Sequence, residues 1–389
     1  MTKNSQRRHS LGRKATAAGF SLVELIVAMT VFLVVSAASF TLFSRHEALL
    51  SQEQGITGLN IGLRNALSML QIDVVNAGSG QIMGPNVPAW PVGVTIWNGN
   101  PTTAQCNPAA TYPATYASAC FDQLNVVMVD ANTPPLHPQN PCTGGAFDTS
   151  AGSPLVATIP INPATGLPYP LASVYPNFHS GDQILFISGS GAKFTTAVLT
   201  ANGAAVTGNV QLSFSPTLAT GRNNPGTSPP TPAIPPNDPI SMTVYAPASE
   251  LTNTFCSSDW VLRLLPIQYS VNVANTSDPQ LVRTQAGVQS VVMDQVIGFK
   301  VGAAWWNSGT STFAYCYNTG AYCDPPTNSI PGYNNDFTYV RSVRVTLIGR
   351  TAPSTDPTYT YRNPFDQGPY QIRGSSIIVN PRNLTMNND

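Results

Sequence analysis

Charge is scarce in this chain. Its 389 residues carry 18 basic and 18 acidic side chains, 9% in all. A nucleic-acid binder needs a basic face, and nothing here supplies one. Histidine is also thin: His9, His46, His137 and His179 are scattered, and no His-Glu-x-x-His is present. The six cysteines contain no Cys-x-x-Cys, and His137 beside Cys142 is the only histidine close to any of them, which argues against zinc. No Gly-x-Ser-x-Gly stands at a strand-to-helix turn. Gly189-Ser190-Gly191-Ala192-Lys193 has the wrong spacing before its lysine for a phosphate loop, and its flanks read as strands, so it is a hairpin turn. Asn334, Asn335 and Asp336 offer one carboxylate and no EF-hand spacing, which makes them a turn before a calcium site. The sequence thus holds no catalytic constellation and calls for no cofactor or metal; it reads as a protein that is not an enzyme. Asn, Thr, Ser, Gly and 35 prolines supply the polarity that charge does not, the composition of a loop-rich β protein.

What is present begins at the amino terminus. From Phe20 to Phe43 the chain is apolar or small except for Glu24, after a leader bearing Lys3, Arg7, Arg8, Arg13 and Lys14 and no acid. With Gly19, that stretch makes a helix of about 36 Å, enough for a hydrocarbon core of about 30 Å. Basic residues ahead of a first apolar helix stay cytoplasmic, so everything after Phe43 is expected to be exported. Without the five leader cations the chain has 13 basic residues against 18 acidic ones, a net charge of about −5.

Glu24 is an ionisable group inside a membrane helix, which costs a few kcal/mol and marks a function or a partner. Were the chain cut after Gly19, Phe20 would carry a new amine with Glu24 about 6 Å deeper, one helical turn away. That carboxylate is expected not to reach its own amine without bending the helix start, but to neutralise the amine of a neighbouring subunit, registering one copy against the next. Gly19-Phe20-Ser21-Leu22-Val23-Glu24 after a short basic leader resembles the class III signal of type IV pilins and pseudopilins. The resemblance implies cleavage after Gly19 by prepilin peptidase, N-methylation of Phe20 and packing of the helix into a filament core. Neither an ordinary signal peptide cut near Ser36-Ala37-Ala38 nor a plain single-span anchor accounts for Gly19 and Glu24 together.

All six cysteines lie in the part expected to be exported, where an even number reads as disulfides. Spacing suggests local loops, Cys106 with Cys120 and Cys316 with Cys323, leaving Cys142 with Cys256; fifteen pairings remain formally open. Trp305, Trp306, Tyr315, Tyr317, Tyr322 and Tyr333 cluster around one of these loops, as a contact surface or as partial core.

The helix should continue to Asn76, because Ile56, Leu59, Leu63, Leu67, Leu70 and Val74 form one apolar stripe. Gly55, Gly58 and Gly62 either weaken its middle or serve close helix packing, and Ala77 to Gly80 end it. Residues 85–119 and 134–177 read as irregular chain around a strand at Leu124 to Val129. Strands follow at 181–188, 194–199 and 210–214. Thr227 to Pro239, with six prolines, reads as a loop or linker. Beyond it come strands at 260–265, 267–273, 280–284, 288–301, 337–349 and 372–379.

The order Val271, Leu281-Val282-Arg283-Thr284, Val291 to Val301, then Val340-Arg341-Ser342-Val343-Arg344-Val345 resembles the carboxyl-terminal sheet of the PilW family of minor pilins. Gly181 to Ile187 and Asp73 to Gly78 resemble the same family. Pseudopilin J of type II secretion shares much of the pattern and is the nearest rival. The resemblance implies an α+β, type IV pilin-like fold in which a long amino-terminal helix packs on a β-rich head with long loops. Its parts are a leader 1–19, a helix 20–76 with 20–43 in the membrane, a β- and loop-rich region 77–239, and a sheet region 240–389. It implies a minor prepilin that sits in the inner membrane with a periplasmic head, then enters a cell-surface pilus. Its partners would be prepilin peptidase, other minor and major pilins in an initiating or tip complex, and a tip adhesin.

Overall fold

The computed structural model describes residues 21–79, 93–97, 116, 120–149, 154–190, 194–214, 254–285, 287–307, 312–315, 340–354, 359–365 and 367–382. Gly19, Phe20, Cys106, Cys316, Cys323, residues 227–239 and residues 334–336 lie outside them. Helix α1 spans Leu22–Val75 and contains all three glycines that could have broken it. The chain divides into two compact units, Met1–Ile56 and Thr57–Asp389.

In the first unit α1 carries Arg45, His46, Glu47 and Glu53 toward its end but is apolar on every side from Leu25 to Phe43, and its large apolar side chains from Leu22 to Leu50 are exposed. This stretch is long and apolar enough to cross a membrane.

In the second unit the remainder of α1 is one-sided. Leu59, Leu63, Leu67, Leu70 and Val74 of the expected stripe are buried, and Ala66 joins them. Each such side chain contributes about 1.5–3 kcal/mol on leaving water. The facing sheet makes room: a Cβ on Gly349 would stand 2.7 Å from Leu59 Cδ1 and 2.6 Å from Met293 Cε. The helix ends at Gly78, whose φ of 70° is the left-handed conformation of a helix stop. The Gly78 N–H donates to the Val127 carbonyl at 2.8 Å, which ties that stop to the sheet.

The strands are β1 Val94–Trp97, β2 Gln123–Val129, β3 His137–Pro138, β4 Phe147–Asp148, β5 Leu155–Thr158, β6 Gln183–Ile187, β7 Phe194–Val198, β8 Ala204–Val206 and β9 Asn209–Leu212. After them come β10 Thr254–Phe255, β11 Trp260–Asn272, β12 Gln280–Gln285, β13 Val288–Met293, β14 Val296–Asn307, β15 Thr312–Tyr315, β16 Val340–Arg350 and β17 Ile372–Val379. A first sheet runs β1-β2-β11-β12-β13, with β6 also on β11 and β7 on β6. A second runs β15-β14-β16-β17, a third β3-β5-β9-β8, and β10 pairs with β4. Strands from regions 77–239 and 240–389 therefore share the first sheet. The long helix followed by β-rich chain makes the fold α+β.

Two cores result. The first lies beneath α1 and takes side chains from β1, β2, β11, β14 and β16. The second lies between the third sheet and the β6, β7 and early β11 part of the first. Strand β6 serves both: Leu185 and Ile187 enter the first core, Ile184 and Phe186 the second. Burial on both faces of the pleat explains why its sequence is a continuous apolar run.

Several strand expectations need correction. Residues 260–265 and 267–273 form one strand, β11, straight through Pro266. The Arg263 carbonyl accepts from Asp130 N–H at 2.9 Å and Val261 exchanges bonds with Leu136, so odd-numbered residues here face β2. Pro266 faces the opposite edge, where β6 has ended opposite Leu264 and β12 starts opposite Ile267. Its missing N–H therefore falls in a gap between partners. Residues 288–301 are two strands, broken at Gln295 with a φ of 56°. Residues 85–119 are not all loop, because β1 pairs with β2, and 134–177 contain β3, β4 and β5.

Candidate functional site

The amino-terminal turn of α1 is closed by two reciprocal hydrogen bonds. Ser21 N–H donates to Glu24 Oε2 at 2.9 Å, and Val23 N–H donates to Ser21 Oγ at 3.3 Å. Glu24 supplies the carboxylate half of a Ser-x-x-Glu capping box and the Ser21 hydroxyl caps the second helical N–H, which together satisfy helix-start donors that no backbone carbonyl reaches. Glu24 therefore also has a partner within its own chain, one turn back along the helix. The spacing Ser21-Leu22-Val23-Glu24 was enough to show this, but the surrounding apolar run drew the reading to the membrane. An anionic side chain also suits the positive end of the helix dipole.

Downstream, the hydroxyls inside the apolar stretch bond back to their own helix. Thr30 Oγ1 donates to the Ile26 and Val27 carbonyls at 2.9 and 2.8 Å, Ser39 Oγ to Val35 at 2.9 Å, and Thr41 Oγ1 to Ala37 at 2.8 Å. Bonding within the helix lowers the cost of carrying these hydroxyls into lipid, so the segment suits a medium without water.

The head holds buried ions that sequence reading missed. Asp73, in the last turn of α1, accepts from the Tyr269 hydroxyl at 2.5 Å and from Arg283 Nε at 2.8 Å, and Arg283 Nη1 also donates to Gln285. Burial, then the adjacent Asp73 carboxylate, push the Tyr269 phenol well above its ordinary range. Burial works against the Arg283 charge, but the hydrogen bond and charge of Asp73 outweigh it and raise that group. A second cluster joins Asp130, Arg263 and Asp182, with contacts of 2.6 and 2.8 Å. Burial pushes the Asp130 carboxyl up, yet Thr133, the Asn132 N–H and Arg263 together hold it below the usual value. In a third, Asp122 accepts from Lys300 at 3.0 Å and from Val301 N–H at 2.7 Å. These acids are matched to cations and backbone donors, an arrangement that fixes positions and leaves no free base.

The other expected residues stay apart. His137 Nδ1 lies 2.8 Å from the Asp259 carbonyl with its ring on Trp260, His179 is exposed beside Asp182, and His46 is on α1. Among the described residues no group of three or more His, Cys, Asp or Glu could hold a metal ion. The Gly189 N–H, which a phosphate loop would offer to its ligand, donates instead to Asp259 Oδ1 at 2.9 Å. Cys142 and Cys256 form a disulfide with Cα atoms 4.8 Å apart, and Cys120 is disulfide-bonded too. Trp305 and Trp306 are on β14 and Tyr315 is on β15, while Tyr317, Tyr322 and Tyr333 lie outside the described residues.

The comparisons bear on the amino terminus. Residues 14–40 match the model of the prokaryotic N-terminal methylation motif. That span includes Gly19, Phe20 and Glu24. No curated protein matches the chain. Among solved structures, a type IV-like pilin from Thermus thermophilus aligns at 17% identity over 31% of this chain and 66% of that one, with a TM-score of 0.16. At that score it is a similarity of short pieces and supports no argument about the head.

Proposed function

We propose that this chain is a minor pilin of the PilW type. It is inserted in the inner membrane with its head in the periplasm, cut after Gly19 by prepilin peptidase, methylated on Phe20, and incorporated into a type IV pilus. There it takes part with other minor and major pilins in starting assembly or in a tip complex. The observation that carries this is the match of residues 14–40 to the methylation motif, on a segment whose exposed apolar surface needs lipid or other helices to cover it.

In this reading Glu24 has two successive partners. Before assembly it caps its own helix through Ser21; in the filament it gives up that bond to neutralise the Phe20 amine of an adjacent copy. Burial of two opposite charges together costs far less than burial of either alone.

Mass spectrometry of the mature amino-terminal peptide tests the proposal. A peptide beginning at N-methyl-Phe20 is expected; one that retains Met1, or begins near Ser39, overturns it. Glu24→Ala should leave cleavage largely intact and reduce the amount of the protein in sheared pili. A type II secretion pseudopilin would share the processing, and immunogold labelling of surface pili distinguishes the two filaments.

A further inference from the structure

The Cys142–Cys256 bond encloses nearly all of the second core, together with β6 and β7 of the first sheet. Of the fifteen described residues of the second core, thirteen lie between the two cysteines, and the other two, Leu136 and Val261, face each other just outside. Only Leu185 and Ile187 of the first core fall within the same stretch. The third sheet, apart from β3, also lies inside it, as does the β4–β10 pair.

The ends of this stretch meet at a narrow neck. Leu136 and Val261 exchange backbone bonds of 2.9 and 2.7 Å, and Ser257 N–H donates to the Asn140 carbonyl at 2.8 Å. Asp259 joins the parts: its carboxylate accepts from Cys256 N–H at 2.7 Å and from Gly189 N–H at 2.9 Å. Phe255, next to Cys256, packs on Phe186 of β6 with ring centroids 5.1 Å apart. Phe147, five residues beyond Cys142, lies 6.4 Å from the same ring. Cys142 itself is exposed.

We infer that the Cys142–Cys256 disulfide is a redox-sensitive clasp for this inserted layer. Closed, it holds Phe147 and Phe255 against Phe186 and keeps the third sheet on the first. Open, it lets residues 142–256 loosen while α1 remains packed on its own core. A cross-link limits the unfolded freedom of the chain it closes, and here that chain carries thirteen of the second-core residues and all of the third sheet but β3. A dithiol opens the clasp by giving two electrons and two protons: the S–S bond breaks, two cysteine thiols form, and the dithiol becomes a cyclic disulfide. If the head is exported, as the proposed function requires, the layer closes only where the bond can be oxidised.

Amide hydrogen exchange on the full chain in detergent micelles tests this, whether or not the protein enters a filament. The double variant Cys142→Ser, Cys256→Ser is compared with wild type, and wild type is also measured in dithiothreitol. Peptides covering β5 and β9 should exchange about tenfold faster in both cases, while those covering residues 59–75 and β16 change less than about twofold. Equal acceleration in both cores, global loss of protection in the double variant, or unchanged β5 and β9 would overturn the clasp. So would acceleration by dithiothreitol that the double variant does not reproduce, since Cys120 is also in a disulfide.

Discussion

The two stretches of α1 are one helix written for two solvents. From Leu22 to Phe43 it is apolar on all sides apart from Glu24, with Thr30, Ser39 and Thr41 bonded back to its own carbonyls. From Thr57 on it is apolar along one stripe, and its polar feature is Asp73, bonded to residues about two hundred positions away. In lipid a polar group must be satisfied within its own helix, because no partner is guaranteed. Against a sheet it can be satisfied by tertiary structure, and then it fixes where the helix sits. The hydroxyls and Glu24 of the first stretch are satisfied within the helix, whereas the Asp73 carboxylate of the second is satisfied by the sheet.

The strongest way to break that contrast is to remove the cation beneath the second stretch. Arg283→Met leaves Asp73 buried without its ion-pair partner, and should lower the unfolding free energy of the head by about 3–5 kcal/mol in urea. Replacing Asp73 by Leu in the same chain should recover part of that loss. Leu70→Ala, in the fully buried stripe, should cost about 2–5 kcal/mol. Leu33→Ala, in the exposed stretch, should leave the same transition within about 0.5 kcal/mol.

How far the sequence discloses each stretch follows from the same difference. The apolar run with Gly19 and Glu24, and the Leu59 to Val74 stripe, are local patterns that periodicity reveals. The Asp73–Arg283 pair is not local: nothing in Gln71-Ile72-Asp73 points to a residue 210 positions on. Strand β1 was hidden because four residues among prolines and asparagines become a strand only through β2. Pro266 was read as a boundary because a single strand gives no view of where its neighbours end. Within the third sheet β9 was legible as the strand at 210–214, but β3, β5 and β8 were missed because they are short, and the helical turn Leu171–Val174 has no periodicity to find.

A pH series sharpens the comparison from the head side. The folded Asp130 titrates below its ordinary 3.8, so the unfolded chain takes up the proton first as the pH falls. This contribution is complete above pH 3.8 and is lost as the pH drops through the lower folded value. Tyr269 is displaced the other way, above 10.0; its contribution is complete below that pH and is lost as the pH rises toward the folded value. Urea midpoints should therefore fall at both extremes. Tyr269→Phe should remove the alkaline decline and leave the acid one.

The most local effect belongs to the start of the first stretch, and it separates the two tasks assigned to Glu24. Ser21→Ala deletes the acceptor for Val23 N–H and should cost about 1 kcal/mol, confined to the first turn, with faster amide exchange at Val23 and an unchanged head. Glu24→Gln keeps an oxygen for Ser21 N–H but carries no charge to meet an amine. It should hold the helix start nearly as wild type does, yet be depleted from sheared pili. If registration depends on charge, the two variants part in opposite directions: Ser21→Ala frays and assembles, Glu24→Gln holds and fails to assemble. Equal assembly defects would mean that the helix start itself, and not the ion pair, is what the filament reads.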